Sequence, residues 1–312
     1  MAFTNASGYQ NLAQGNFTPQ IFSQKVQKFF RRASVVEDIT NTDYAGEIEN
    51  FGDTVKIIKE PTITVKDYAR GQTVDTQVLA DDQITMTVDQ GSYFAFKVDD
   101  IEERQSHVNF EALATSSGAY SLKKAYDYNV LKFIYDNAST NASATGTDGS
   151  PIDGDAAVDT LANVISSAKR VLDKNDVPED NRWLVAPPEF FEQLRKAGAK
   201  LSDQSVMADG GASQIRNGKV TDRPLFGFNM YSTNAIAVSS GSAASHTFGS
   251  SGSNEFAFLY GHMSGVATVN HIAKTELIRD PDSFADVVRG LHVYGRKILR
   301  DEAVRSGVIT IG

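Results

Sequence analysis

"QGSYFAFKVDDIEERQSHVNFEAL" (Gln90–Leu113) changes its period half-way along. Phe94, Phe96 and Val98 alternate with Ala95 and Lys97. Period two means a strand with one buried and one wet face. From about Asn109 to Ala138 the spacing becomes helical, with Ala119, Leu122, Tyr126, Val130, Phe133 and Ile134 forming one stripe. Ser106 or Asn109 suits its cap, and Glu111 suits its first turn. Such a helix is roughly 45 Å long at 1.5 Å per residue, far beyond the usual length of about 11–12 residues. It reads as a spine. The join carries Asp99, Asp100, Glu102 and Glu103.

On the N-terminal side, residues 50–98 are strand material. "TVKIIKEPTITVKDY" holds two runs broken at Pro61, and "QITMTV" alternates Ile84, Met86 and Val88 with Thr85 and Thr87. Between them, "ARGQTVDTQVLADD" is polar and loop-like. The chain runs out and returns. Ordering about 40 residues costs roughly 60 kcal/mol, which needs on the order of 2,400 Å² of apolar burial to offset it. A two-stranded ribbon alone is marginal in water, so this one must lie on something: its own chain or another.

Further upstream, residues 1–18 are rich in Asn, Gln, Gly and Ser and read as a mobile arm. "TPQIFSQKVQKFFRRASVV" then predicts a short amphipathic helix, capped by Thr18 with Pro19 at its first position. Lys25, Lys28, Arg31 and Arg32 make this stretch basic, with no acid before residue 37.

On the C-terminal side, "NASTNASATGTDGSPIDGD" (137–155) marks a boundary. A compact α/β region follows. Leu161, Val164, Ile165, Ala168 and Leu172 share a helix face, with Asp155 as the expected cap and Pro178 preventing continuation. "RWLVA" (182–186) is a short buried strand, and "PPEFFEQLRKAG" is a helix from Pro188 to a stop at Gly198. "GFNMYSTNAIAV" and "NEFAFLYGH" read as strands. The tail gives two strands around Pro281 and then a polar end.

The chain has 312 residues, 41% of them hydrophobic, enough for one large or two modest domains. It has no cysteine, which excludes disulfides and thiolate chemistry. The net charge of −9 repels nucleic acid overall, and the basic N-terminal stretch reads either as a place for phosphate contact or as a basic helix face in water. No apolar run is long enough for a membrane helix, and the N-terminus does not read as a secretory leader.

Catalytic patterns are missing. The five histidines form no HExxH pair. "GHMSG" (261–265) places its serine fourth, unlike a GxSxG elbow. The carboxylates at the strand–helix join point in different directions, whereas a divalent cation needs converging oxygens. No cofactor and no metal are expected. An arm, an over-long ribbon, a spine helix and a separate α/β lobe each leave surface uncovered, which favours self-assembly.

In this order of segments the chain resembles the major capsid proteins of tailed bacteriophages, whose fold is shared with encapsulin nanocompartments. "FGDTVKIIKEPTITVKDY" resembles the outgoing extended loop, and "YFAFKVDDIEERQSHVNF" its return into the spine helix. "RWLVAPPEFFEQLRKAG" and "GFNMYSTNAI" resemble the axial domain, and "DSFADVVRGLHVYGRKILRDEAV" the closing peripheral strands. The resemblance implies an α+β tailed-phage capsid fold. Residues 1–45 would be the N-terminal arm, 46–98 the extended β-hairpin loop with flanking strands, 99–140 and 268–312 the peripheral domain with its spine helix, and 141–267 the α/β axial domain.

The implied function is structural, not enzymatic: a subunit self-assembling as hexamers and pentamers into an icosahedral shell around double-stranded DNA. The place implied is the virion capsid, assembled in the host cytoplasm with a scaffolding protein and a portal, and with no membrane. Lys66, Tyr68, Arg70, Asp99, Asp100, Glu102 and Glu103 are the interface candidates. Lys25, Lys28, Arg31 and Arg32 are the candidates for non-specific DNA contact. No loop crosslink is expected, since Lys66 has no assignable asparagine partner. The competing readings are an encapsulin-like shell and an α+β hydrolase with a site at the carboxylate cluster.

Overall fold

The structure is a computed structural model that describes residues 34–44, 54–61, 63–74, 76–78, 83–100, 110–147, 150–156, 160–195, 224–236, 255–281 and 283–311. In chain order the elements are α1 (Val36–Ile39), β1 (Thr54–Ile58), β2 (Gln83–Thr87), β3 (Gln90–Asp99) and the long helix α2 (Phe110–Asn137). Then come β4 (Ser139–Thr140), α3 (Ala142–Thr145), β5 (Ile152–Asp153), α4 (Thr160–Lys174), β6 (Arg182–Ala186), α5 (Pro188–Arg195) and β7 (Asn229–Ser232). The chain closes with β8 (Glu255–His262), β9 (Val266–Arg279), β10 (Ala285–Ile298) and β11 (Val304–Thr310).

Three sheets result. β1 and β2 form an antiparallel ribbon, β3-β10-β9 a second sheet, and β4-β11-β8-β6-β7, with β5 also on β11, a third. The third sheet is buried on both faces. Leu184, Ala186, Phe258 and Tyr260 point into a core with α4 and α5. Trp183, Val185, Ala257 and Leu259 point the other way, into a core with Tyr126, Val130, Leu131 and Ile134 of α2. This is why "RWLVA" shows no alternation.

The five apolar positions read on α4 are all buried. The Asp155 carboxylate accepts a hydrogen bond from Gln193 of α5, and residues 157–159, where its capping of α4 would be read, lie outside the described residues. Gly198 lies outside the described residues, as do Ser106 and Asn109. On α2 the stripe is buried in its C-terminal half, at Tyr126, Val130 and Ile134, and only partly covered before it, where Leu122 is half-buried and Ala119 exposed. The third sheet packs on the C-terminal half, and Phe94 of the second sheet reaches Gly118 ahead of it.

Two strand readings are corrected. The run after Pro61 forms no strand among the described residues, since within one chain it has nothing to pair with. The chain's end is not polar. β11 lies inside the third sheet, antiparallel to β8 along its whole length. Its Ser306 and Gly307 look like turn residues but are buried. At Gly307 a Cβ would stand 2.4 Å from the Phe258 ring, so the small residue makes room for the large one.

Candidate subunit interface

The second sheet has two faces with different fates. On one, β3 presents Phe94 toward α2. A Cβ on Gly118 of α2 would stand 2.8 Å from that ring, and one on Gly290 of β10 would stand 2.3 Å from it. Two missing side chains thus form a slot for one aromatic. The adjacent Tyr126 packs edge-on against His292 and Tyr294. Burial pushes the Tyr126 and Tyr294 hydroxyls above their ordinary range and the His292 imidazole below its own.

On the opposite face the strand register sets three rows: Tyr93–Leu291–Lys274, Ala95–Arg289–Glu276 and Lys97–Val287–Ile278. Tyr93 is 79% exposed and Leu291 43%. The Arg289 guanidinium and the Lys274 ammonium both meet the Glu276 carboxylate, which their hydrogen bonds hold down to about 2. Further along this face Val293 is buried, together with Val269 and Ala267, under Val55, Met86 and Val88 from the ribbon and its continuation. The root of the ribbon thus covers one end of the face, and the rest is open.

Beyond its root the described residues of the loop are all exposed. Ile63, Val65, Tyr68, Val74 and Val78 are 67–92% exposed. Lys66 and Arg70 are exposed beside Tyr68. The Thr64 N–H reaches across the loop to Gln77 Oε1 at 3.0 Å. A segment this apolar in water marks a contact surface.

The acidic join divides. Asp100 takes a forked pair of bonds from Arg279, at 2.7 and 2.5 Å, and Arg279 also reaches Asp286 at 3.0 Å. Both carboxylates raise the Arg279 pKa and keep it charged. Asp100 is therefore engaged within its own chain. Asp99 ends β3 opposite Ala285. Glu102, Glu103, Lys25, Lys28, Arg31 and Arg32 lie outside the described residues. No group of three acidic or histidine side chains among the described residues could hold a metal.

Sequence reading missed Tyr93, Leu291, Leu277 and Phe284. The last is 82% exposed beside the β9–β10 turn. Tyr93 carried a signal: an aromatic on the wet side of a period-two run. Phe284 carried one too, as an aromatic in the turn "DPDSF".

The model of a family described as phage capsid protein matches residues 59–306. The chain belongs to the phage capsid protein family. The capsid subunit's fold agrees with solved structures. One from Mycobacterium phage Che8 is 29% identical, with a TM-score of 0.78 over 95% of this chain and 98% of that one. The capsid structure of the cyanophage P-SCSP1u is 16% identical, with a TM-score of 0.71 over 95% and 94%. The mature capsid of bacteriophage PhiM1 gives 17% identity and a TM-score of 0.66 over 98% of both chains. No curated protein matches the chain. Its α+β fold is that of a tailed-phage capsid protein, and its function is that of a major capsid shell subunit.

Proposed function

We propose that this subunit assembles as hexamers and pentamers into an icosahedral shell enclosing double-stranded DNA, with the loop of one copy lying on the open face of the second sheet in the next. The observation that supports this is the pairing of two surfaces in one chain. The loop carries five exposed apolar side chains, and the sheet face bears Tyr93 and Leu291 uncovered. The ribbon root already packs on that same face, so the neighbouring loop would extend an existing contact.

In this reading residues 99–140 and 268–312 serve as the peripheral domain and residues 141–267 as the axial domain. The role is structural, with no catalysis. Assembly takes place in the host cytoplasm, with a scaffolding protein and portal as partners. Contact with DNA falls to Lys25, Lys28, Arg31 and Arg32. It is weak, independent of sequence and salt-sensitive. Replacing Arg31 and Arg32 by Ala reduces retention of DNA on the purified chain and flattens its salt dependence; unchanged binding would remove these residues from the contact.

The interface test is Leu291→Asp. This side chain is partly exposed in the isolated subunit, so the variant keeps the parent's unfolding midpoint but fails to form shells in sedimentation. Shells from Leu291→Asp at the parental yield would refute the proposed face.

A further inference from the structure

Two crossings between the second and third sheets run through single 3₁₀ turns. Met263–Gly265 links β8 to β9, and Asp301–Ala303 links β10 to β11. The turns are tied together. Leu299 and Arg300 both donate their N–H to the Gly265 carbonyl, at 2.8 and 3.3 Å. Gly265 has no room to be anything else, since a Cβ there would stand 2.3 Å from Val304 Cγ2 and 3.3 Å from Ala303 Cβ. The Met263 N–H is held by the Asn181 carbonyl at 3.3 Å, and Asn181 adopts a left-handed φ of 52°. Three stretches of chain therefore meet at one joint.

His262 caps the first of these turns. Its Nδ1 accepts the Ser264 N–H at 3.2 Å and lies 2.8 Å from the Ser264 hydroxyl. A backbone N–H can only donate, so Nδ1 carries no proton and the imidazole is the Nε2–H tautomer. Nε2 is buried, and a hydrogen bond between the ring and the Asp180 backbone favours the charged form. The charged groups acting on the ring come from three neighbouring segments: Asp180 before β6, Arg182 on β6, and Arg300 after β10. Burial depresses the imidazole pKa, Asp180 pulls it up, and the two arginines push it down again, leaving it lowered.

We infer that the His262–Ser264 clasp is an acid-released latch, which holds the two sheets at a fixed angle while neutral and frees the joint when a proton occupies Nδ1. Protonation sets an N–H against the Ser264 N–H and removes the cap acceptor. It also places a cation beside Arg182 and Arg300.

The sign follows from linkage. The native state prefers the neutral ring, so the latch is intact above the unfolded value of about 6.5. It weakens as pH falls from there toward the lower native value, by at most about tenfold per pH unit for one proton.

The test is hydrogen exchange of the full chain between pH 7.5 and 5, corrected for intrinsic rates. Protection of the Ser264, Leu299 and Arg300 amides is expected to fall below about pH 6.5. In His262→Asn, which keeps a cap acceptor that does not titrate, it is expected to stay level. Protection independent of pH in the parent, or an equal fall in His262→Asn, would overturn the latch. Should that variant fail to fold, ¹⁵N shifts of histidine-labelled parent decide. The Nε2–H tautomer with a pKa below about 6.5 supports the latch; the Nδ1–H tautomer, or a pKa at or above that value, refutes it.

Discussion

Phe94 occupies space that two glycines on different elements leave free. Gly118 comes from α2 and Gly290 from β10, so the slot exists only when helix, β3 and β10 are all in place. Gly290→Ala puts a methyl group 2.3 Å from the Phe94 ring. Overpacking of this kind costs about 1–3 kcal/mol, and a lowered denaturant midpoint at unchanged slope checks it. The sequence announced the side of β3 that Phe94 takes, because alternation reports which face a side chain occupies, and the structure leaves the ring half-buried there. It could not announce the slot, because glycine in a helix or strand carries no local sign of what will approach it. The carboxylates show the same limit. Their crowding was visible, but the partner of Asp100 was not, since Arg279 lies 179 residues away.

At the scale of elements, the ribbon has a root and a reach with opposite energetics. Met86 is fully buried at the root, while the segment from Ile63 to Val78 is exposed throughout its described residues. Met86→Ala should therefore cost the subunit about 2–5 kcal/mol. Deleting residues 66–82 should leave the unfolding midpoint near the parent's and yet abolish shells. Normal shells from that deletion would remove the loop from assembly; a collapse of subunit stability would show that the loop packs in its own chain. Period-two runs made the ribbon and β3 legible, and helical spacing did the same for α4. β11 escaped because its interior position rests on small and polar residues, Ser306 and Gly307, whose burial is set by Phe258 from another strand. The partly covered half of α2 escaped for a related reason. A helical stripe shows which side of a helix is apolar, not how far along it the neighbouring sheet extends.

For the whole molecule, the surfaces left open on one chain become economical when copies meet. A loop with exposed apolar side chains and a sheet face that bears Tyr93 and Leu291 beside its charged pairs stay open in the same subunit, and each offers apolar surface that the other can hide. Family membership was legible in the order of segments, from ribbon to return strand, spine helix and α/β lobe, more than in any single motif. The contacts between copies were not, because they depend on which faces the fold leaves bare. The direct test of the central claim is negative-stain electron microscopy of the purified full-length chain, with and without its candidate scaffolding protein. Closed shells, or rings of five and six, are the result expected. A uniform small oligomer that forms neither under any of these conditions would contradict it.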